Sequence, residues 1–237
     1  MKKILLSVAI FPLLLLGAAT VQAATVDVEV TNSTHNIYFT PLLITAHAET
    51  DHLFQVGTAA SASLQAMAEG GDTSGLLSAV GGADADTIDN PAAGLLGPGQ
   101  STNTSIDTGA TGHTHLSLVA MLLPTNDGFV GLDSLEIPTE PGTYTYQLNG
   151  YDAGTEANDE LLNTVDGGVP GSAGIPGDPT GASGSGGSGV TAIDANTSIH
   201  VHRGTLGDRD PTGGVSDLDS TAHRWLNPVA VIRLTIH

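Results

Sequence analysis

The sequence predicts an all-β fold, an antiparallel β-sandwich with one or two short helices in its connections. Three observations support this prediction. Short extended runs, separated by turn signals, follow one another along most of the 237 residues. The two stretches with helical character are both short. No internal repeat occurs at the spacing of a solenoid or a propeller, and the length suits one domain.

Residues 1–23 have the composition of a secretory signal peptide. Two lysines precede the apolar run ILLSVAIFPLLLL, and the small-x-small sequence VQA ends at Ala23. The apolar run is too short to span a bilayer comfortably, and Pro12 interrupts it. We expect export, cleavage near Ala23, and a mature domain over residues 24–237 that lies in the periplasm or outside the cell.

Composition narrows the possible functions. The formal net charge is −19, and the chain contains no cysteine. A polyanion repels nucleic acid and anionic membrane surfaces but attracts divalent cations. Small exported animal domains usually contain disulfides, so we expect a bacterial protein that is stabilised by its core or by bound metal. We also expect a monomer without stable membrane insertion.

The N-terminal part of the mature domain contains two extended runs followed by two helical ones. Residues 25–31 alternate between apolar and polar side chains, as in a half-buried strand. A longer run over residues 36–47 contains Pro41, which we place at a bulge or a sheet edge. Residues 58–71 and 74–80 are predicted helices, and the first of them ends at paired glycines.

The remaining predicted strands follow a loop over residues 81–100. Residues 114–124 form a continuous apolar run, which indicates a fully buried strand. Residues 166–189 are rich in Gly, Pro and Ser and predict a flexible surface insertion inside one domain, because a regular strand follows them. The other strands are expected over residues 101–108, 129–135, 143–150, 197–204 and 228–237.

The segment YDAGTEAND places Asp152, Glu156 and Asp159 directly after a predicted strand. Such a cluster is compatible with a cation site, a catalytic carboxylate pair or a solvated acidic loop. Calcium takes six to eight oxygen ligands, and loops at one end of a sandwich supply them from positions far apart in sequence. Asp127, in the turn after the apolar strand, is the best candidate for a further ligand. Turn chemistry alone would also explain the sequence NDG at that point.

Five parts of the chain occur in the order found in a known family: TPLLITAH from residue 40, LFQVGTAAS from residue 53 with MAEGGD from residue 67, SLVAMLLPTNDGFVGLDSL from residue 117, YDAGTE from residue 151, and HRWLNPVAVIRL from residue 223. Together they cover most of the mature chain. The combination of YDAGTE with NDGFVGLDSL is the specific part. On these segments the chain resembles the spondin N-terminal domain family, known from F-spondin, mindin and many bacterial exported proteins.

The resemblance implies an eight-stranded antiparallel sandwich similar to calcium-dependent membrane-binding domains. It also implies a calcium ion held at one end by Asp127, Asp152 and Glu156. Animal members usually have Asp at the position of Glu156, and they have cysteines between the two acidic loops, where this chain has none. The implied function is adhesion to, or recognition of, an extracellular or cell-surface ligand of unknown identity. Asp159 lies outside the matching segment and is expected to be solvated.

Two His-x-His pairs, His113 with His115 and His200 with His202, suggest a zinc- or copper-binding protein as an alternative. Residues i and i+2 of a strand point to one face, so each pair could chelate a metal ion. Four imidazoles would meet if the two strands were neighbours. The other interpretation is that the histidines are polar residues on two exposed strand faces. His47 is expected to be a hydrogen-bonded structural residue.

Two further patterns are weaker. Residues 208–219 match several positions of a calcium-loop template, but the last position is Asp219 instead of Glu and no helices flank the loop. Catalysis has little support, because there is no nucleophile elbow and no His-Asp setting around the GDTSG stretch. A metal-dependent hydrolase that uses Asp152 and Glu156 with a metal-bound water is the alternative to the leading hypothesis, an exported calcium-binding module that is not an enzyme.

Overall fold

The computed structural model describes residues 25–80, 86–108, 113–190 and 197–237, the side chain of Val80 excepted. The predicted signal peptide, its cleavage near Ala23 and residues 81–85 of the predicted loop lie outside these ranges. Within them the chain forms ten strands and two helices: β1 (Thr25–Asn32), β2 (Tyr38–Phe39), β3 (Leu43–His47), α1 (Ala62–Gly70), α2 (Ser74–Val80), β4 (Asp86–Asp89), β5 (Ser101–Asp107), β6 (His115–Leu123), β7 (Gly128–Glu136), β8 (Gly142–Asp152), β9 (His200–Val201) and β10 (Ala230–Ile236).

Eight of these strands form a path of hydrogen-bonded neighbours in the order β4-β3-β6-β7-β8-β10-β1-β5, and each neighbouring pair is antiparallel. The two-residue strands β2 and β9 pair with β6 and β8. Strand β8 belongs to both layers of the sandwich. Its part up to Leu148 pairs with β10, and its part from Asn149 to Asp152 pairs with β7. The predicted antiparallel sandwich is confirmed, with eight strands on the main path.

The main core lies between the two layers. Val26, Val28 and Val30 of β1 are buried and alternate with more exposed neighbours. Ile232 and Leu234 of β10 follow the same alternation. These side chains pack in one cluster with apolar side chains of the other layer, among them Ile44, Leu116, Leu118, Ala120 and Leu122. The apolar residues of these alternating sequences therefore face the core, and the residues between them face outward.

Strand β6 is buried on both of its faces, because the helices cover the outer face of its layer. Leu64 and Met67 of α1 pack in a second cluster, and Leu76 of α2 joins them. Val119 and Met121 of β6 contribute to the same cluster. This double burial explains the uninterrupted apolar run in the sequence of β6.

Ser61 and Gly71 set the limits of α1. The Oγ of Ser61 accepts a hydrogen bond from the N–H of Leu64 at 3.1 Å, as an N-cap residue does, so the helix begins at Ala62 and not at residue 58 as predicted. At the other end Gly71 has a left-handed conformation with φ 73°, and its N–H donates to the carbonyl of Met67 at 2.8 Å. The predicted glycine stop is confirmed.

Two regions differ from the sequence predictions. Residues 86–89 lie in the predicted loop, but they form β4 and pair with β3. This strand carries little sequence signal, because Ile88 is its one apolar residue that packs against the core. Residues 197–204 are predicted to be one strand, whereas only His200 and Val201 pair with β8. The chain leaves the sheet after them and turns at Gly204, whose φ is 85°.

The insertion over residues 166–189 contacts α1, where the N–H of Gly171 donates to Glu69 at 2.6 Å, and the C-terminal part of the chain. Ile175 is fully buried, and its N–H donates to the carbonyl of Leu161 at 2.8 Å. The carboxylate of Asp178 lies 3.3 Å from Nε2 of His223, and both side chains are almost completely buried. The segment therefore has fixed attachments on two sides, while its predicted flexibility stays a prediction.

Candidate functional site

The two acidic loops meet at one end of the outer layer. Asp127 lies in the turn between β6 and β7, and Asp152 is the last residue of β8. Gly128 and Asp152 are direct partners in the antiparallel ladder between β7 and β8. Beyond that pair, the N–H of Ala153 donates to the backbone carbonyl of Asp127 at 3.2 Å. The sheet register thus places the carboxylates of Asp127 and Asp152 next to each other, although 25 residues separate them in the sequence.

Asp127 is completely buried and uses its two carboxylate oxygens in different ways. Oδ2 accepts hydrogen bonds from the N–H of Thr155 at 2.7 Å, from its hydroxyl at 3.2 Å, and from the N–H of Glu156 at 3.1 Å. Among the described residues, no donor reaches the buried Oδ1 of Asp127. A buried oxygen without a partner costs free energy unless a bound species satisfies it. Oδ1 is therefore the atom of this site that most needs a ligand.

Asp152 is also buried, with 2 % of its surface exposed. Its Oδ1 accepts a hydrogen bond from the N–H of Gly154 at 2.8 Å, and its Oδ2 accepts one from the side-chain amide of Asn158 at 2.6 Å. Gly154 has a φ of 71°, a left-handed conformation that favours glycine. The expectation that Gly154 lets the chain fold back between the two acids is confirmed.

Glu156 is partly buried and joins the site through Asn126. Its Oε2 accepts hydrogen bonds from the Asn126 side-chain amide and from the N–H of Gly174, both at 3.2 Å. The same amide group donates to Oδ1 of Asp159 at 3.0 Å. Asp159 is therefore not the solvated neighbour that the sequence suggested, because the buried Asn126 binds both acids at once. Sequence reasoning attributed Asn126 to turn chemistry alone and missed this bridging role.

The site concentrates negative charge, and the basic side chain next to it is that of His200, whose Nε2 lies 3.6 Å from Oδ2 of Asp152. Burial raises the pKa of Asp127 to about 6, and the nearby charge of Asp152 adds to this effect. Burial also raises the pKa of Glu156 to about 7, the hydrogen bond from Asn126 opposes the rise, and the charge of Glu69 adds to it. Within the described parts of the chain, no Lys or Arg forms an ion pair with these acids.

The donor chemistry of the site suits a hard cation, because the available groups are carboxylate oxygens. Asp127 and Asp152 form the buried pair, and Glu156 is tied to them through the loop backbone. No group of three or more His, Cys, Asp or Glu side chains in the described ranges surrounds a common point. Two buried carboxylates therefore define the site, and one of them has an oxygen, Oδ1 of Asp127, that no described residue bonds. Other ligands of a cation would be backbone carbonyls or water.

The family model of Spondin_N matches residues 31–162 of the chain, more than half of its length. The chain belongs to the Spondin_N family. The matched range includes α1, α2 and both acidic loops, whereas the closing segment from residue 223 lies beyond it. Among curated proteins, none matches the chain at a significant level.

Membership of this family indicates an extracellular recognition or adhesion-type module. In the described ranges of this Spondin_N domain, neither helix has the length and apolar character that crossing a membrane requires. The likeness to calcium-dependent membrane-binding domains stays a prediction.

The two His-x-His pairs of the Spondin_N domain are not neighbours. Strands β7 and β8 lie between β6, which begins at His115, and β9, which begins at His200. His113 instead pairs with Asp86, with Nδ1 2.8 Å from the carboxylate. Nδ1 of His202 accepts the N–H of Gly204 at 2.9 Å, and its ring packs against Trp225. The four histidines do not meet, and each has a different environment.

Residues 208–219 form a loop whose acids bind backbone amides. Oδ2 of Asp208 accepts the N–H groups of Val215 at 2.7 Å and of Ser216 at 2.9 Å. Oδ1 of Asp219 accepts the N–H of Thr221 at 2.7 Å. Hydrogen bonds from the backbone N–H of Ser216 and of other loop residues lower the pKa of Asp208. The geometry thus gives these carboxylates a turn-forming role, and their satisfied oxygens contrast with Oδ1 of Asp127.

His47 is a structural residue, as expected. Its Nδ1 donates to the carbonyl of Ala48, and its Nε2 accepts the hydroxyl of Ser117, both at 2.8 Å. Burial lowers the pKa of His47. Both ring nitrogens are used inside the fold, so His47 has no nitrogen available for a metal ion.

Proposed function

We propose that this Spondin_N domain is an exported, calcium-binding recognition or adhesion module, and that Asp127, Asp152 and Glu156 provide the carboxylates for the calcium ion. The observation that carries the proposal is the buried Oδ1 of Asp127, to which no residue in the described ranges donates, beside the buried carboxylate of Asp152. Two buried carboxylates with one partly exposed histidine beside them, and no Lys or Arg among the described residues, are more favourable when a cation accompanies them.

The role of calcium in this proposal is structural. Asp127 precedes β7 and Asp152 ends β8, so an ion held by both would fasten the loop after β6 to the loop after β8. The hydrogen bonds from Thr155 and Glu156 to Oδ2 of Asp127 already hold that loop in place and leave Oδ1 for the ion. Glu156 would contribute by replacing its contacts to Asn126 and Gly174 or by sharing its second oxygen. Calcium supplies positive charge there, and the chain supplies the positions of the oxygens.

The recognition role follows from the family and from the charge of the chain. A net charge of −19 opposes binding to nucleic acid and favours partners outside the cell that are neutral or basic. We propose that the protein acts as a monomer on an extracellular or cell-surface ligand. We also propose that residues 1–23 direct it to the periplasm or the cell exterior of a bacterium.

Isothermal titration of the purified, chelator-treated protein with calcium tests the proposal. The wild-type protein should bind calcium, and Asp127→Asn and Asp152→Asn should abolish binding. Asp166→Asn, which removes an exposed carboxylate outside the site, should have no effect. Calcium at 100 times its Kd should add about 2.7 kcal/mol to the free energy of unfolding. Unchanged melting in chelator and calcium, together with no binding heat, would refute the calcium assignment.

A further inference from the structure

Two chain segments near the C-terminus, one directly after β9 and one directly before β10, lie side by side and run in opposite directions. The side-chain amide of Asn227 donates to the backbone carbonyl of His202 at 2.9 Å. The hydroxyl of Thr205 donates to the backbone carbonyl of His223 at 2.5 Å. Between these two contacts, the rings of His202 and Trp225 pack with their centroids 4.9 Å apart. The two segments therefore form one continuous surface, and this surface lies beyond the range that the family model matches.

Exposed and buried residues alternate along both segments. Val201 and Arg203 are exposed on either side of a buried residue, and so are Arg224 and Leu226. Successive side chains of an extended chain point to opposite sides, so these four side chains stand together on the outward side. The exposed fraction is 50 % for Val201 and 79 % for Leu226. Val201, Arg203, Arg224 and Leu226 are called the C-terminal strip below.

The two arginines of the C-terminal strip are unusual in a chain of this composition. Beyond the predicted signal peptide the sequence contains no lysine and only four arginines, against 25 acidic residues. One of the four, Arg233, pairs with Glu29 at 2.5 Å. Among the described residues, no ion pair and no side-chain hydrogen bond involves Arg203 or Arg224. Two guanidinium groups thus stay without a carboxylate partner in a chain rich in carboxylates, and they do so beside two exposed aliphatic side chains.

We propose that the C-terminal strip is the surface on which the domain binds a protein partner, at a point where that partner presents an aliphatic side chain flanked by carboxylates. The proposal rests on the recognition role proposed above and does not depend on calcium. A guanidinium group binds a carboxylate through two parallel N–H bonds, and arginine is enriched among the residues that contribute most to binding. Leu226 and Val201 supply apolar area that such a partner would remove from water.

The net charge of the chain does not prevent this recognition. Electrostatic interactions between exposed charges are screened over about 8 Å at physiological ionic strength. A carboxylate that touches Arg203 and Arg224 therefore responds to these two groups more than to acids elsewhere on the domain. The proposed partner is close to neutral overall and carries its carboxylates locally, which agrees with the preference that the net charge of −19 imposes.

Other classes of partner fit the C-terminal strip less well. Sugars and nucleic-acid bases stack on exposed aromatic rings, and the ring of Trp225 is buried between the two segments, with 6 % of the residue exposed. An anionic membrane repels a chain with a net charge of −19, and two arginines are a small attraction against that repulsion. A second copy of the chain would carry the same negative charge.

Nitrogen–proton NMR spectra of the purified protein test the proposal, with two synthetic peptides as probes. One peptide is Gly-Ser-Glu-Leu-Glu-Gly-Ser, and the other has Gln in place of both Glu residues. The glutamate peptide should shift the backbone amide signals along the C-terminal strip, and the glutamine peptide should bind more weakly. An increase in salt from about 0.05 M to about 0.5 M should reduce the difference between the two peptides, because salt screens exposed charges.

Substitutions in the strip identify the groups that bind. Arg203→Gln and Arg224→Gln should each weaken binding of the glutamate peptide by about 2- to 5-fold, the range expected for one exposed ion pair. Leu226→Ser should weaken it by about 10-fold, because the apolar contact is lost. Arg233→Gln removes an exposed arginine that already pairs with Glu29, so this matched control should bind the peptide as the wild-type protein does. All four positions are exposed or partly exposed, and unchanged signals elsewhere in each spectrum verify the fold.

Several results would overturn the assignment of the C-terminal strip. These are equal shifts with both peptides, no shift with either peptide at millimolar concentration, and an equal loss of binding in Arg233→Gln. Phosphatidylglycerol vesicles that shift the strip signals when the peptides do not would assign the strip to a membrane. Strip signals that move with protein concentration alone would assign it to a second copy of the chain. None of these results affects the calcium titration of Asp127→Asn, so a failure here is distinguishable from a failure of the calcium module.

Discussion

Asp127 binds Thr155 twice through a single oxygen: its Oδ2 accepts the backbone N–H of Thr155 at 2.7 Å and the hydroxyl at 3.2 Å. One carboxylate oxygen therefore holds the backbone of the loop that follows the neighbouring strand β8. The other oxygen stays available for a cation. The hydrogen bonds to Oδ2 hold the loop after β8 against the turn that carries Asp127. This division between the two oxygens predicts that removal of the Asp127 charge and removal of its hydrogen bonds will have separable effects.

The charge of Asp127 should make the calcium-free protein less stable as pH rises. Its pKa in the folded state is about 6, above its ordinary value of 3.8, so the folded state binds more protons than the unfolded state between these values. Stability is lost as pH rises from about 4 to 6. Asp127→Asn should remove this loss, so in chelator the variant should gain stability relative to wild type between pH 4.5 and 7, by about 1 to 3 kcal/mol at the upper end.

Urea unfolding of the two proteins at a series of pH values measures this difference directly. Titrating groups away from the site, such as His47, contribute equally to both proteins and cancel in the comparison. Glu156 does not cancel completely, because the charge of Asp127 adds to its raised pKa. Calcium should reverse the order at pH 7, because only the wild-type protein gains the binding energy. A constant stability difference between pH 4.5 and 7 would contradict the raised pKa of Asp127.

Glu69→Gln should lower the pKa of Glu156. Burial is the main cause of the raised pKa of Glu156, about 7, and the charge of Glu69 adds to it. Glu69 is itself buried near the end of α1, where it accepts hydrogen bonds from Gln65 at 2.8 Å and from the N–H of Gly171 at 2.6 Å. Titration of the Glu156 side-chain carboxyl by carbon NMR should show the shift toward acid, and Asp166→Asn should leave it unchanged. An unaltered Glu156 titration in Glu69→Gln would mean that the two carboxylates do not interact.

Gly154→Ala should destabilise the loop between Asp152 and Glu156 for two reasons. The left-handed φ of 71° is strained for alanine, and a Cβ atom would lie 2.8 Å from the backbone of Thr197 and of Ser198. We expect a loss of about 2 kcal/mol or more in the free energy of unfolding, and weaker calcium binding. Gly57→Ala is the matched control, since Gly57 has a φ of 87° but open space around it. Equal losses in both variants would show that the close approach of residues 197 and 198 does not matter.

The parts of the fold that were predictable from sequence are those with local signals. Alternation identified β1 and β10, the continuous apolar run identified β6, and Gly71 marked the end of α1. Strand β4 escaped prediction because an edge strand held by backbone pairing needs little apolar pattern. The acidic residues after β8 were visible because they are clustered. Asp127 was a candidate because it lies in the turn after the buried strand, and the family resemblance supported that link.

The partners that complete the site were not predictable, because they depend on sheet register and on the path of the insertion. His200 reaches Asp152 through the pairing of β9 with β8, a two-residue ladder without a sequence signature. Asn126 bridges Glu156 and Asp159 through its side-chain amide, which the sequence motif NDG attributes to an ordinary turn. Each of these contacts joins residues that are far apart in the sequence. Local sequence patterns therefore carry no information about them.

The attachment of the insertion to α1 can be tested at Gly70, the last residue of that helix. Alanine is intrinsically the better helix former by about 1 kcal/mol, so helix propensity alone predicts that Gly70→Ala stabilises the protein. In the structure, however, a Cβ atom at Gly70 would lie only 2.1 Å from the carbonyl oxygen of Gly168 in the insertion. We therefore expect a loss of stability, because either α1 or the insertion must move.

Thermal and urea unfolding of Gly70→Ala give the sign of the effect. Gly75→Ala in α2 is the milder control, because its Cβ would meet the side chain of Ser63 instead of a carbonyl. The Oγ of Ser63, at 2.7 Å, can rotate away, and the Cβ of Ser63, at 3.0 Å, must give by a few tenths of an ångström. That variant should be near neutral or slightly stabilising. If Gly70→Ala also stabilised the protein, the insertion would not rest on α1 in solution, and the contact between Gly171 and Glu69 would be absent as well. A loss confined to Gly70→Ala would instead show that the Gly-rich segment is packed against the helix that carries Glu69, and so contributes to the environment of Glu156.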